Sequence, residues 1–476
     1  MTNPVAGAYM PASQLRWICI VAALSSLIVL PRHFVGEEAI LAITSMEMRV
    51  TGDWSRHWLF GTDQLHVVFT NWLILPLADL LGWDHVLAVT RTIMIAATAT
   101  TAATTYWFTR RCWGDAALGW LAAAIFLTFI DSLLYRGWLA YRDPLFAALI
   151  FGAVATLWTG ARDRRYALVA LSGMLVFCAF LTKGVTAYVF YASAGFVMLW
   201  HREERKALLT PGAVIPVVVA FAAALVWMQW VMAGRLGGRL SKEILDKLQA
   251  GGIGEYLWSL IQFPLDALLR LAPATIIVLW FAWRQRAKVS DLKADGRFLG
   301  IAAAALLCLL PYWLAPQTHI RYLMPVLPLI AMAFAAIALR AGDRCVKTLV
   351  IGMWVVVVLK VVLMGALFPW YQEKYRGANY AAAARDIAER AGRHPIYTTD
   401  VSASGLSVAA YIDIARMPDG PLLRFPPDGW KDGWVMYKFD DPAAGRKVKK
   451  YTLFGDEIHL YCRGTACAGA ESSEHP

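Results

Sequence analysis

Apolar runs that approach the ~20 residues an α-helix needs to cross a bilayer recur from about residue 15 to about residue 368. A chain built this way has the membrane as its solvent. With 59% apolar residues, 17% charged residues and 21 tryptophans, it does not have the composition of an ordinary soluble domain. The formal charge of +11 would suit a nucleic-acid partner if the bases shared one surface. They fall instead in short clusters between apolar runs, so nucleic acid is set aside and the clusters are read as topology signals.

Arg110 and Arg111, then Arg162, Arg164 and Arg165, then Arg202, Arg205 and Lys206, then Arg284, Arg286 and Lys288, and last Arg340, Arg344 and Lys347 punctuate alternate loops. The positive-inside rule places these loops in the cytoplasm. Working outward gives spans near 15–31, 86–108, 115–134, 143–160, 166–183, 185–200, 211–233, 267–283, 298–315, 322–339 and 348–368, about eleven in all. The first run, about Leu15 to Leu30, has no small-residue cleavage site and reads as a retained helix with its N-terminus cytoplasmic. His66 to Gly82 would reverse the sidedness of Arg110 and Arg111 if it crossed, and is read as a helix along the membrane surface.

Two long loops then face away from the cytoplasm. Residues 32–85 carry Glu37, Glu38, Glu47, Asp53, Asp63, Asp79 and Asp84, and residues 234–266 carry Arg235, Arg239, Lys242 and Lys247. An acidic and a basic loop on one face suit a site that handles both a cation and an anion. After residue 369 the composition turns soluble: residues 1–369 read as the membrane domain and 370–476 as a small periplasmic α/β domain. Helical stretches are expected at Asn379–Ala391 and Gly405–Tyr411, and an extended one at Pro395–Thr398. Cys19, Cys112, Cys178, Cys308 and Cys345 lie in or beside apolar runs as packing residues, whereas Cys462 and Cys467 sit in the tail, where a disulfide would persist.

Four groups of residues can carry chemistry. Glu37-Glu38 follows the first span and opens an amphipathic run, Ala39 to Val50, that ends in Gly52-Asp53-Trp54; carboxylates at such a point can ligate a hard cation, serve as a general base, or simply complement a helix start. In Tyr141-Arg142-Asp143-Pro144, Asp143 is either functional or an N-cap. Leu181-Thr182-Lys183-Gly184 breaks two apolar helices with a lysine that must snorkel or meet an anion. Gln317 to Pro325, leading to Leu327-Pro328, holds Arg321, whose planar fork suits phosphate, beside Tyr322, which also suits an interfacial anchor.

These segments, in this order, resemble the C-type-fold membrane glycosyltransferases, in particular the lipid A aminoarabinose transferases and protein O-mannosyltransferases. The first-loop pattern of an acidic pair and a Gly-Asp-Trp, the Asp143 block, the Thr-Lys-Gly break and the Arg-Tyr-Leu-Met-Pro run carry the resemblance, with a weaker match from Glu255 to Pro264 before Arg270. Glu37 stands where that family usually has Asp, and His66 lacks the two prolines that usually follow. The resemblance implies Glu37, Glu38 and Asp143 as catalytic carboxylates, with Glu37 and Asp143 available to a divalent cation. It implies Lys183, Arg321, Arg270 and His66 as contacts to the phosphate of a polyprenyl-phosphate sugar, and an inverting transfer to a lipid, polysaccharide or protein. It also implies a monomer in a bacterial inner membrane. Two rivals stand beside it. A lipid transporter would show two related halves and polar residues at mid-bilayer, neither of which is present, and a non-catalytic binding protein would keep the fold without the chemistry.

Overall fold

The computed structural model describes residues 12–64, 67–231, 252–315, 320–418, 420–453 and 455–468. His66 and the four bases of the 234–266 loop lie outside the described residues. The chain is mainly α-helical and polytopic. Among the described residues eight helices are long and apolar enough to cross a membrane, and nine if the pair Ile253–Arg270 and Ala274–Arg284, bent by 99°, is one span. That is fewer than the eleven expected.

The difference has a local cause. Runs 115–134 and 185–200 fold as helices Ala116–Thr128 and Thr186–Trp200, of 13 and 15 residues, about 20 and 23 Å long against a hydrocarbon core of about 30 Å. The first is set off by Asp115, whose carboxylate accepts the N–H groups of Ala117 and Leu118, and it ends because Phe129 takes an extended ψ of 132°. A π-helical turn, Asp131–Arg136, follows. The second begins after the turn at Gly184 and stops at the extended His201.

Two compact units divide the chain. The first holds residues up to Leu27, Met94–Trp138 and Arg142–Val361. Its centre is the helix Asp143–Asp163, whose apolar window is 94% buried. That helix turns back at Arg164, which takes the left-handed conformation, and packs along Tyr166–Lys183. Ser172 Oγ donates to the Ala153 carbonyl across the pair at 2.6 Å.

The second unit gathers Ile28–Ile93, Leu139–Tyr141 and the chain from Val362 onward, so the first long loop folds with the tail. Helix Ala39–Thr51 ends at Gly52, whose φ of 68° lets its N–H reach the Met48 carbonyl. Asp53 then accepts from the Ser55 N–H at 3.0 Å, and the Trp54 carbonyl accepts from the Trp72 indole at 2.7 Å. The Gly-Asp-Trp sequence is thus a helix stop and a turn. Trp72 belongs to helix Phe69–Leu81, which is 13 residues long and too short to span.

In the tail, helices Ala378–Ala391 and Ala403–Arg416 accompany a four-stranded sheet: β1 Ile396–Thr398, β2 Gly433–Tyr437, β3 Arg446–Leu453 and β4 Asp456–Arg463. Its order is β1-β2-β4-β3, with β1 and β2 parallel and the other pairs antiparallel. Cys462 at the end of β4 is bonded to Cys467, with Cα atoms 5.3 Å apart.

One buried ion pair organises the second unit. Glu38 and Arg91 have no exposed side-chain surface. The Arg91 guanidinium donates to Glu38 and to the carbonyls of Val29, Arg32 and His33. Glu38 also accepts the N–H groups of Val35 at 2.8 Å and Ala140 at 2.7 Å. Removing one member leaves an uncompensated charge, so Arg91→Ala should cost about 3–5 kcal/mol and appear as a lowered thermal midpoint or loss of the monodisperse protein in detergent. An unchanged midpoint contradicts this role.

Candidate active site

Within the first unit, Asp143 and Lys183 form an ion pair although 40 residues separate them. Backbone geometry brings them together. Asp143 lies in the first turn of its helix and Lys183 is the last residue of the next, antiparallel one, so each charge complements its own helix end. Arg142, not Asp143, takes the N-cap place, and no side chain caps it. The pair is largely desolvated, with side-chain exposures of 18% for Lys183 and 7% for Asp143.

Aromatic rings surround the ammonium. Lys183 Nζ is 5.4 Å from the centroid of Phe146 and 5.0 Å from that of Tyr322. The Arg321 guanidinium lies 5.3 Å from the same Tyr322 ring and donates to its hydroxyl at 3.4 Å. Tyr322 stacks on Tyr312 at 5.8 Å, and Tyr312 on Phe190 at 5.2 Å. Two cations therefore share one ring at the end of an aromatic ladder, attracted by its quadrupole. The arrangement offers two donors to an anion while a carboxylate holds the lysine in place.

A second charged group lies in the same unit. Asp131, 4% exposed, accepts from Arg270 at 2.8 Å and lies 3.5 Å from Arg136, while Arg270 also binds Asp266. The Ile130 N–H donates to the Ala272 carbonyl, tying this turn to the bend after Arg270. Asp131 received no role from the sequence, although an acid inside an apolar run is a signal in its own right. A cavity of about 1070 Å³ in this unit is lined by Trp113, Asp115, Arg162, His201, Asp295 and Arg340; these residues sit among the basic loops, and none belongs to the Lys183 group.

The acidic pair of the first loop lies in the second unit, and its two members have different fates. Glu38 is consumed by Arg91. Glu37 is exposed, and its N–H donates to the Tyr141 hydroxyl at 2.9 Å. That hydroxyl approaches so closely that a Cβ on Gly36 would lie 2.6 Å from it. Among the described residues no group of three or more His, Cys, Asp or Glu could hold a metal ion. Asp143 is paired with Lys183.

Neither a family model nor a curated protein sequence matches the chain. Solved structures do. ArnT from Cupriavidus metallidurans bound to undecaprenyl phosphate superposes with a TM-score of 0.71 at 14% identity, over 97% of this chain and 100% of that one. The fold is that of a C-type membrane glycosyltransferase. The apo state of the same ArnT gives a TM-score of 0.67. The Archaeoglobus fulgidus oligosaccharyltransferase in complex with Zn and sulfate gives 0.53 at 12% identity, over 83% of this chain and 61% of that one.

Two further acids of the second unit went unassigned in sequence. Glu47 is 4% exposed and accepts from the N–H groups of Phe60 and Gly61, holding the turn of the ribbon Trp58–Leu59 and Thr62–Asp63. Burial pushes its carboxyl up from 4.5 to about 7, against the pull of those N–H groups and of Arg424. Asp413, fully buried, accepts from the Leu423 N–H and is raised by the same cause. A folded state that keeps a proton the unfolded chain releases loses stability as pH rises. For Glu47 the loss runs from 4.5 to about 7 and is on the order of 3 kcal/mol. The thermal midpoint should therefore fall between about pH 5 and about pH 7.5, and Glu47→Gln should flatten that slope. A wild-type midpoint that does not fall over this range contradicts the assignment.

Proposed function

We propose that the protein is a glycosyltransferase that takes a sugar from a polyprenyl-phosphate donor on the non-cytoplasmic face of the membrane and passes it to a lipid, glycan or protein hydroxyl. The observation that carries this reading is the Lys183 and Arg321 pair, poised on one tyrosine beside Asp143 in a C-type fold. ArnT, which shares the fold, is known with undecaprenyl phosphate bound. A membrane-interface phosphate is an anion that Lys183 and Arg321 suit, as a point charge and a planar fork respectively.

In the reaction, the bond between the anomeric carbon and the phosphate oxygen breaks, and its electron pair leaves with the phosphate. That leaving group needs charge stabilisation more than a proton, and Lys183 and Arg321 supply it. Asp143 holds Lys183 in place through their ion pair. The acceptor oxygen forms its bond to the anomeric carbon from the opposite face, which inverts configuration, and Glu37 takes the acceptor's proton. Glu38 acts through the backbone: with Arg91 it fixes the chain on which Glu37 stands. Arg270, held by Asp131 and Asp266, and His66 are secondary phosphate contacts.

The same reading carries the finer topology. Eleven crossings place the N-terminus in the cytoplasm and the tail in the periplasm of a bacterial inner membrane, with the short helices Ala116–Thr128 and Thr186–Trp200 counted as crossings. A monomer suffices for the chemistry.

Substitution separates the roles. Lys183→Ala and Arg321→Ala should each weaken binding of polyprenyl phosphate about tenfold, measured by displacement of a fluorescent analogue in detergent. Glu37→Gln should leave that affinity intact and lower turnover about a hundredfold. Wild-type affinity in both cation variants would remove the phosphate site, and wild-type turnover in Glu37→Gln would remove the base.

A further inference from the structure

At the basic-loop end of the first unit lies a groove that the transfer chemistry does not use. It has a volume of about 600 Å³ and opens between helices Ala274–Arg284 and Gly296–Leu314, over helix Leu327–Ala341, on which both of them pack. The chain from Arg286 to Lys293, which joins the first two helices, forms its rim.

Two kinds of side chain line it. Val289, Phe298 and Ile337 are half-buried and make an apolar wall, whereas Arg286 and Lys293 are exposed and have no carboxylate partner among the described residues. Among those residues no acid lines the groove, and the two acids nearest in sequence are turned elsewhere. Asp291 lines the 1070 Å³ cavity, and Asp295 accepts the N–H groups of Arg297 and Phe298 at the start of helix Gly296–Leu314. Buried Leu292 lines both spaces and lies between them.

The groove stands at headgroup depth. Trp280 and Trp283, near the end of helix Ala274–Arg284, are 50% and 66% exposed, with ring centroids 5.6 Å apart, and the Arg284 guanidinium lies 4.8 Å from the Trp280 ring. Exposed tryptophans with a base beside them at the end of a membrane helix mark the interfacial belt.

We propose that this groove holds an anionic phospholipid of the leaflet that faces the basic loops. Its phosphate sits on Arg286 and Lys293, and the upper part of an acyl chain runs along Val289, Phe298 and Ile337. A basic pocket between membrane helices favours acidic headgroups, and Arg286 and Lys293 meet the phosphate as a planar fork and a point charge. The apolar wall decides between a lipid and free phosphate, because a small soluble anion gains nothing from it while an acyl chain is covered by it. A zwitterionic lipid is disfavoured, since its cation meets two bases and no acid. The inference needs only the fold and stands apart from the transferase reading.

The test gives the full-length protein, delipidated in detergent, an equimolar mixture of phosphatidylglycerol and phosphatidylcholine with the same acyl chains, and counts bound lipid by native mass spectrometry. Phosphatidylglycerol should be retained about tenfold over phosphatidylcholine. Arg286→Gln with Lys293→Gln, exposed positions that leave the fold alone, should abolish that preference. The equal charge change Arg202→Gln with Arg205→Gln, also exposed but outside the groove, should leave it intact, as should Lys183→Ala. Equal retention of the two lipids, a preference that survives the groove pair, an equal loss in the control pair, or displacement of phosphatidylglycerol by inorganic phosphate or an acidic peptide overturns the proposal. Donor turnover plays no part in this readout, so the two readings fail separately.

Discussion

The second unit depends on one buried charge pair. Glu38 and Arg91 are both stripped of water, which is tolerable only because each is saturated: the carboxylate takes two N–H groups besides the guanidinium, and the guanidinium takes three carbonyls besides the carboxylate. Those partners are the backbone between Val29 and Val35 and that of Ala140. With these held, Glu37 is left exposed with its N–H on the Tyr141 hydroxyl. The two members of an acidic doublet thereby part, one buried and structural and one exposed.

The first unit solves the same problem at helix ends. Asp143 and Lys183 sit where the dipoles of their own helices already favour their charges, so pairing them in a low-dielectric setting costs less than it would in mid-helix. The ladder of Phe190, Tyr312 and Tyr322 keeps the ammonium and the Arg321 guanidinium over polarisable carbon instead of water. On the proposed function, a phosphate arriving there would meet donors that need little reorganisation, which is the property electrostatic catalysis requires.

Much of this was legible in the sequence, and the rest was not, for physical reasons. The membrane class follows from run length alone, and the ordered motifs located Asp143, Lys183 and Arg321 one by one. Their association was not readable, because it depends on two helices turning back on each other across 40 residues. Which member of Glu37-Glu38 is buried depends on Arg91, 53 residues on, whose charge inside an apolar run was the overlooked sign. Two of the expected spans fold as helices shorter than the hydrocarbon core, and for the first of them composition does not reveal that Phe129 leaves the helix. In the tail, Arg446–Leu453 hides its strand pattern: the register shifts between Lys447 and Lys449, which breaks the alternation a strand reader looks for.

The measurement that bears most directly on the account is donor turnover by the purified wild-type protein in nanodiscs. A polyprenyl-phosphate sugar is supplied together with a membrane extract as acceptor, and the lipid products are separated by mass spectrometry. The account predicts that free polyprenyl phosphate accumulates in step with a glycosylated acceptor whose new bond has the opposite anomeric configuration. Donor that stays intact while it is shown to bind would contradict it.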